Sequence, residues 1–205
     1  MAYQYDVFLS YNCKFPHGDW VKDEFLPFFK PFLEDALSLR HVEIFLDVDE
    51  IKSGQAWEKK IINALIHSRI MVSVLTPAYF NSEWCKKEMA FMDYRQRECG
   101  YLTTQNNNGI IVPLKISDGE SFPEAAMEFQ ISDFNNYFRV GAGFKQTPLH
   151  VELQGKLQTW IYDVAHAHKN APEWKEDWKH PDWVNRAWED LDKYNAKKIK
   201  KAPVL

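Results

Sequence analysis

Residues 70–89 read IMVSVLTPAYFNSEWCKKEM, and this passage decides the fold of the chain. It opens with a short, apolar and largely β-branched run in which five of the six residues 70–75 are apolar, a composition that is typical of a buried strand. Thr76-Pro77 ends the predicted strand, and Asn81 or Ser82 is a suitable N-cap for a helix that begins near Glu83. The passage therefore predicts a strand that leads directly into a helix.

Two side chains on this predicted helix suggest a binding site. Trp84 and Glu88 are four residues apart, so they lie on one face of the helix, one turn from each other. A flat aromatic surface beside a carboxylate suits a ligand that has a ring and a partial positive charge. We base the functional hypothesis on this pair.

Strand and helix signals alternate on both sides of this passage. Such alternation predicts an α/β fold with a central parallel sheet of about five strands and helices on both faces. Ligands of such sheets bind outside the carboxyl ends of the strands, where the loops after Tyr11 and Leu46 and the start of the Trp84 helix should meet. The remaining strands are predicted at 5–11, 42–46, 109–114 and 130–133, and the remaining helices at 28–39, 57–67 and 149–166, with a break near Pro27 and with Pro113 near an exposed strand end.

Composition excludes several classes of function. A net charge of -4 over 205 residues gives no basis for a sequence-independent nucleic-acid binder. The three cysteines, without a Cys-x-x-Cys pair, argue against a disulfide framework or a zinc site. Neither a signal peptide nor an apolar run of the roughly 18 residues that a membrane span needs is visible. We therefore expect a cytoplasmic protein with no metal, nucleic-acid or membrane partner.

The segment after residue 168 differs in composition from the rest. It has four tryptophans among charged residues and ends in a basic stretch at 197–201. We predict one domain over residues 1–168 and a Trp-rich helical extension over 169–205. The extension is interpreted either as an extra helix that packs its aromatic side chains on the domain or as a docking segment for a partner or a second protomer.

Three motifs in order resemble those of the Toll/interleukin-1 receptor (TIR) domain family. YDVFLSY at residues 5–11 is similar to its first box, and FLDxxxxxSGxxWxxxIxxALxxSR at residues 45–69 is similar to its second box. SxWCxxE at residues 82–88 resembles the third-helix motif of the enzymatic branch. The Phe-Trp pair that many animal receptor adaptors have near the last helix is missing from the sequence.

This resemblance implies a flavodoxin-like fold and cleavage of the nicotinamide–ribose bond of NAD. Family members with the Trp-x-x-x-Glu arrangement release ADP-ribose or cyclise it into a signal nucleotide, and bacterial and plant members often act in antiviral or immune defence. Their substrate is NAD itself, so no further cofactor is expected. The resemblance further implies homo-oligomers that form through TIR–TIR contacts, including contacts of the loop at residues 47–54.

The resemblance also implies roles for individual residues. Glu88 would be the catalytic carboxylate and Trp84 a stacking wall. The remaining substrate-binding candidates come from the first and second loops and are Ser10, Tyr11, Asn12, Asp47, Lys52 and Gly54.

One acid and one aromatic side chain are sufficient for this reaction. Nicotinamide in NAD is already a cationic pyridinium and leaves as a neutral ring, so the general acid of ordinary glycosidases is not needed. A fixed carboxylate such as Glu88 stabilises the positive charge that develops at the anomeric carbon. An aromatic face such as that of Trp84 attracts the cation more strongly than the neutral product.

Simpler interpretations remain for several of these residues. Asp47 and Asp49 are also suited to turning or capping the loop, and Lys52 either contacts a pyrophosphate or is solvated. Cys85 is interpreted as a packing cysteine rather than a nucleophile, because no His base is placed beside it. The alternative function is a non-catalytic module that signals by TIR–TIR assembly through the 47–54 loop.

Overall fold

The computed structural model describes residues 3–46 and 55–197, and the described residues form one parallel five-stranded sheet with the order β2-β1-β3-β4-β5. This confirms the predicted α/β class with its flavodoxin-like sheet, in which β1 is an interior strand between β2 and β3. The strands are β1 (Tyr5–Tyr11), β2 (Ile44–Leu46), β3 (Ser68–Leu75), β4 (Ile111–Lys115) and β5 (Ser132–Asp133).

Helices connect the strands and cover the sheet. They are α1 (His17–Trp20), α2 (Leu26–Leu37), α3 (Gln55–His67), α4 (Pro77–Phe80), α5 (Glu83–Glu98), α6 (Pro148–Lys169) and α7 (Pro181–Ala187). The chain moves one way across the sheet from β1 to β2 and the other way from β2 to β3, so right-handed crossovers put α2 and α3 on opposite faces. In agreement, α2 packs on α6, and α3 packs on α5.

The interruption predicted near Pro27 lies slightly earlier in the chain. One π-helical turn, Val21–Phe25, joins α1 to α2. Pro27 stands in the first turn of α2, where its missing N–H leaves no hydrogen bond unmade. Pro31 lies inside α2 without ending it. The prediction of a helix from about Phe28 was therefore late by two residues.

Pro113 was predicted near an exposed strand end, but it lies in the middle of β4. The Ile110 carbonyl accepts from Met71 N–H, and Ile116 N–H donates to the Leu75 carbonyl. The backbone N–H and C=O groups of the even-numbered residues in this strand therefore point toward β3. The backbone nitrogen of Pro113, which has no hydrogen to donate, therefore points toward β5. There β5 pairs only with the last two residues of β4, Leu114 and Lys115. A missing N–H is tolerated at Pro113 because no β5 residue is in register with it.

The described part of the Trp-rich extension packs its aromatic side chains on the domain, as the first interpretation predicted. The Trp174 indole N–H donates to the Ile66 carbonyl, and the Trp183 ring contacts Phe91 and Tyr94 of α5. The extension forms the short helix α7 between two 3-10 turns, Glu176–Lys179 and Leu191–Tyr194, and not one continuous helix. The division at residue 168 stays a prediction, and residues 198–201 of the basic stretch lie outside the described residues.

Asp93 of α5 anchors the end of the extension. Its carboxyl is fully buried and accepts hydrogen bonds from Lys193 at 2.8 Å and Tyr194 at 2.7 Å, and from Gln96 and Arg97 of its own helix. Burial by itself raises the pKa of Asp93, but the hydrogen bonds from Lys193, Tyr194 and Gln96 outweigh it and hold the pKa below the ordinary value of 3.8.

Asp93 should make stability depend on pH. A carboxyl whose pKa is lower in the folded state stabilises the fold above its unfolded pKa, and this contribution is lost as the pH falls through the folded pKa. We expect Asp93→Asn to lower the free energy of unfolding at pH 7 by about 2–3 kcal/mol, and the difference from wild type to narrow at pH 3. Urea unfolding at both pH values measures this.

Asp190→Asn is the matched control for that measurement. Asp190 is an exposed carboxylate of the same extension, so its replacement should change stability by less than about 0.5 kcal/mol at either pH. A difference between wild type and Asp93→Asn that stays constant from pH 7 to pH 3 would contradict the role assigned to Asp93.

Candidate active site

The candidate site lies where the carboxyl ends of β1 and β3 meet. Ser10 and Tyr11 at the end of β1 are in register with Ser73 and Val74 of β3. The chain leaves β1 toward β2 on one side and leaves β3 toward β4 on the other. This is the topological switch point, where open α/β sheets bind their ligands.

A hydrogen bond joins two of the predicted site residues, Ser10 and Glu88. The Ser10 hydroxyl donates to Glu88 Oε2 at 2.5 Å, across 78 positions of sequence. Both side chains are buried, with 1% of Ser10 and 2% of Glu88 exposed. A hydrogen bond from a hydroxyl stabilises a carboxylate that water does not reach. The structure thus brings together the end of the first strand and the acid of α5.

Tyr79 of α4 extends this hydrogen bond into a chain of three residues. Its hydroxyl is 2.8 Å from Ser10 Oγ, and because the single Ser10 hydrogen points to Glu88, Tyr79 is the donor to Ser10. Burial raises the pKa of Tyr79 well above its ordinary value, and the nearby Glu88 carboxylate raises it further. The phenol therefore stays neutral and keeps the proton that it donates.

Two short-range capping interactions place Tyr79 and Glu88. Thr76 caps α4 by accepting from the Tyr79 backbone N–H at 3.1 Å, and Pro77 occupies the first position of that helix. Ser82 caps α5 by accepting from the Cys85 backbone N–H at 3.4 Å, which confirms one of the two predicted N-caps. The polar residues after β3 thus set the start of both helices.

Trp84 lies in an aromatic cluster at the start of α5. Its ring meets Trp57 of α3 edge-on with centroids 4.7 Å apart, and Trp188 of the extension at 6.3 Å. The ammonium group of Lys87 lies over the Trp84 ring, 4.7 Å from its centroid. Trp84 and Glu88 share the helix as predicted, but in this conformation the indole contacts protein groups.

Asn12 lines a cleft next to the buried hydrogen-bond chain. Its side-chain amide donates to the Ala78 carbonyl at 3.0 Å, which ties the loop after β1 to the start of α4. The cleft has a volume of 360 Å³. It is lined by Asn12, Lys14, Phe15, His17, Ala78, Asn81 and Ser82.

Tyr11, a predicted site residue, and Cys85, a predicted packing residue, are both buried next to this region. Tyr11 is 6% exposed, and the Cys85 thiol lies 3.7 Å from the Tyr11 carbonyl, within reach of a weak hydrogen bond. Cys85 thus faces the sheet, as expected for a packing cysteine, and it is one of three free thiols with Cys13 and Cys99.

Three predicted site residues, Asp47, Lys52 and Gly54, lie outside the described residues, as does Asp49. The two described ends that flank them both lie near the site. Leu46 is in register with Leu9, the neighbour of Ser10, and Trp57 in the first turns of α3 contacts Trp84.

The sequence analysis did not assign Tyr79 or Trp188 to the site. The Thr76-Pro77 pair, which is a helix N-cap followed by a favoured first residue, was the available signal for α4. Nothing in the local sequence indicates that Trp188 lies against a residue 104 positions earlier, Trp84.

Over residues 3–46 and 55–197, no group of three or more His, Cys, Asp or Glu side chains is arranged to bind a metal ion. None of the described helices combines the length and apolar character needed to cross a membrane.

The buried hydrogen bonds from Tyr79 to Ser10 and from Ser10 to Glu88 should also stabilise the fold. Ser10→Ala leaves the Tyr79 hydroxyl and the Glu88 carboxyl without this partner, so we expect a loss of about 2–3 kcal/mol in the free energy of unfolding. Ser73→Ala is the matched control, because Ser73 is buried opposite Ser10 and its hydroxyl has no hydrogen-bond partner among the described residues. Urea unfolding compares the two, and equal losses would contradict a special role of Ser10.

Comparison with known proteins places the chain in a family. A family model described as TIR domain matches residues 7–146. Toll-like receptor 6 of Homo sapiens is 28% identical over 121 residues, which are 58% of this chain and 13% of the receptor. The chain thus spans only a small part of the length of that relative.

Two solved structures show lower similarity. The TIR domain of the Toll-related receptor TRR-2 from Hydra magnipapillata has a TM-score of 0.42 and 17% identity, with 75% of this chain and 98% of that chain covered. The TIR domains of the activated Roq1 resistosome, which directly recognizes the pathogen effector XopQ, have a TM-score of 0.35 and 17% identity, with 92% and 99% covered. Because the family model spans well over half of the sequence, this chain belongs to the TIR domain family.

Proposed function

We propose that this TIR domain cleaves the nicotinamide–ribose bond of NAD, as an NAD glycohydrolase or ADP-ribosyl cyclase in antiviral or immune defence. The observation that carries the proposal is the acid Glu88, held by Ser10 at the switch point of the sheet, one helical turn from Trp84. The chemistry needs one carboxylate and one aromatic surface, and these are the two groups present.

In the proposed reaction, the bond between the anomeric carbon and the pyridinium nitrogen breaks. Its electron pair goes to the nitrogen, so that nicotinamide leaves as a neutral ring and positive charge develops on the ribose. Glu88 stabilises this charge, and each 1.4 kcal/mol of such stabilisation gives about a tenfold increase in rate. Water then adds to the anomeric carbon and loses a proton to give ADP-ribose. If a nitrogen of the adenine adds instead, the product is cyclic.

Ser10 and Tyr79 hold the acid for this role. Because the neutral Tyr79 phenol donates to Ser10 and Ser10 donates to Glu88, the Oε2 atom has a fixed position before substrate binds. Asn12, two residues after Ser10, lines the adjacent cleft, which offers space for the rest of the dinucleotide. Asp47, Lys52 and Gly54 remain proposed contacts from the second loop.

The burial of Glu88 sets a condition on the proposed reaction. With 2% of its surface exposed, the carboxyl does not reach a substrate in the conformation described here. The region between the first loop and α5 must therefore open before the substrate can reach Glu88. Assembly of several TIR domains through the 47–54 loop is the event that we propose for this opening.

The direct test is the release of nicotinamide by the purified chain. We expect Glu88→Gln to reduce the turnover of NAD about 100- to 1000-fold, because the uncharged amide does not stabilise the ribose cation. Glu83→Gln is the matched control on the same helix, since Glu83 is exposed and pairs with Lys86, and it should retain the wild-type rate. Equal rates for wild type and a folded Glu88→Gln variant would refute the assignment.

Adjacent residues of α5 allow a second comparison. Trp84→Ala should reduce turnover more than Cys85→Ala, because the indole is proposed to contact the nicotinamide ring whereas the Cys85 thiol faces the Tyr11 backbone. Steady-state rates of nicotinamide release measure both variants, with circular dichroism as the check on folding. The reverse order would count against the stacking role of Trp84.

The burial of Glu88 also favours a second candidate function. A carboxyl enclosed by Ser10 and Tyr79 serves equally as an internal polar support in a module that signals only by TIR–TIR assembly. Turnover measured over a range of protein concentrations separates the two functions. A steeper-than-linear increase supports an enzyme completed by assembly, whereas no nicotinamide release at any concentration supports the assembly module.

A further inference from the structure

We infer that Trp84 and Trp188 form a binding site for an organic cation, and that the ammonium group of Lys87 occupies this site in the absence of ligand. The inference rests on the proposed function in one respect: the cation that replaces Lys87 is taken to be the nicotinamide ring of NAD.

The geometry is that of an aromatic corner around a positive charge. The two indole rings are perpendicular, at 90°, with centroids 6.3 Å apart. Lys87 Nζ is 4.7 Å from the Trp84 centroid and 4.9 Å from the Trp188 centroid. Both distances are within the range of a cation–π interaction, so the ammonium group interacts with both rings at once.

The surrounding contacts hold the two rings in place. The Trp188 indole N–H donates to the Lys87 backbone carbonyl at 3.0 Å. This hydrogen bond attaches the extension to the first half of α5. Trp57 of α3 packs edge-on against Trp84 at 4.7 Å. The rings are thus supported by backbone and aromatic contacts that do not depend on the Lys87 ammonium.

Trp188 lies outside the part of the chain that the TIR family model matches, residues 7–146. The extension therefore adds one wall to a surface that the domain provides through Trp84. Trp84 itself is one helical turn from Glu88 along α5.

Charge explains why Lys87 and a pyridinium ring should compete for this site. The face of an indole is electron-rich and attracts a lysine ammonium group or a ligand cation in the same way. Lys87 has a flexible four-carbon stem and can leave the corner without a change in the backbone. After cleavage, nicotinamide is neutral and loses this attraction, so the return of Lys87 favours release of the product.

The test uses 1-methylnicotinamide, a pyridinium cation that has no ribose and that the proposed reaction cannot cleave. We expect Lys87→Met to lower its Kd by about 2- to 30-fold, because the internal competitor is gone. Lys87→Arg, which keeps a cation, should bind like wild type. Adding either Trp84→Leu or Trp188→Leu to the Lys87→Met protein should weaken binding compared with Lys87→Met alone. Isothermal titration calorimetry measures the Kd values.

Two controls make the result specific for charge and position. Uncharged nicotinamide should not bind more tightly to Lys87→Met than to wild type. Lys86→Met should leave the Kd of 1-methylnicotinamide unchanged, because Lys86 pairs with Glu83 and Asn195 away from the corner. The inference is overturned if 1-methylnicotinamide binds no more tightly to Lys87→Met than to wild type, if both ligands gain equally, or if Lys86→Met has the same effect.

The experiment also separates this inference from the proposed function. If the chain cleaves no NAD, the order of 1-methylnicotinamide affinities still tests the cation site, since that probe requires no turnover. If NAD is cleaved but Lys87→Met binds the probe as wild type does, the cation site is wrong and the proposed reaction stands.

Discussion

The hydrogen bond between Ser10 and Glu88 is the interaction on which the candidate site depends. It joins the carboxyl end of β1, an interior strand of the sheet, to the second turn of α5. A buried carboxyl without such a partner would be strongly unfavourable, so the acid and the hydroxyl position each other. The Tyr79 phenol fixes the hydroxyl in turn, and these two hydrogen bonds link β1, α4 and α5.

The extension after α6 stabilises the other side of α5. Asp93 receives hydrogen bonds from Lys193 and Tyr194, and the Lys87 carbonyl receives one from Trp188. The sheet therefore holds α5 on its inner face, and the extension holds it on its outer face. A helix fixed from both sides keeps Trp84 and Glu88 in a constant relation, which a site built on a single helical turn requires.

The opposing demands on Glu88 explain why assembly and activity belong together in the proposed function. Stability favours a carboxyl enclosed by Ser10 and Tyr79, whereas catalysis requires the same carboxyl to meet a substrate. The described ends of the second loop, Leu46 and Gln55, lie beside β1 and at the start of α3.

The sequence by itself determined a strand over residues 70–75, a helix capped at Asn81 or Ser82, and the alternation of strands and helices, because these depend on short-range periodicity and capping. It also determined that Trp84 and Glu88 share a face, because helix geometry fixes that spacing. Tertiary structure alone decided that Ser10 meets Glu88, that Tyr79 completes the chain and that Trp188 reaches Trp84. Those contacts join residues 69 to 104 positions apart, and only the packing of the sheet, α5 and the extension sets such distances.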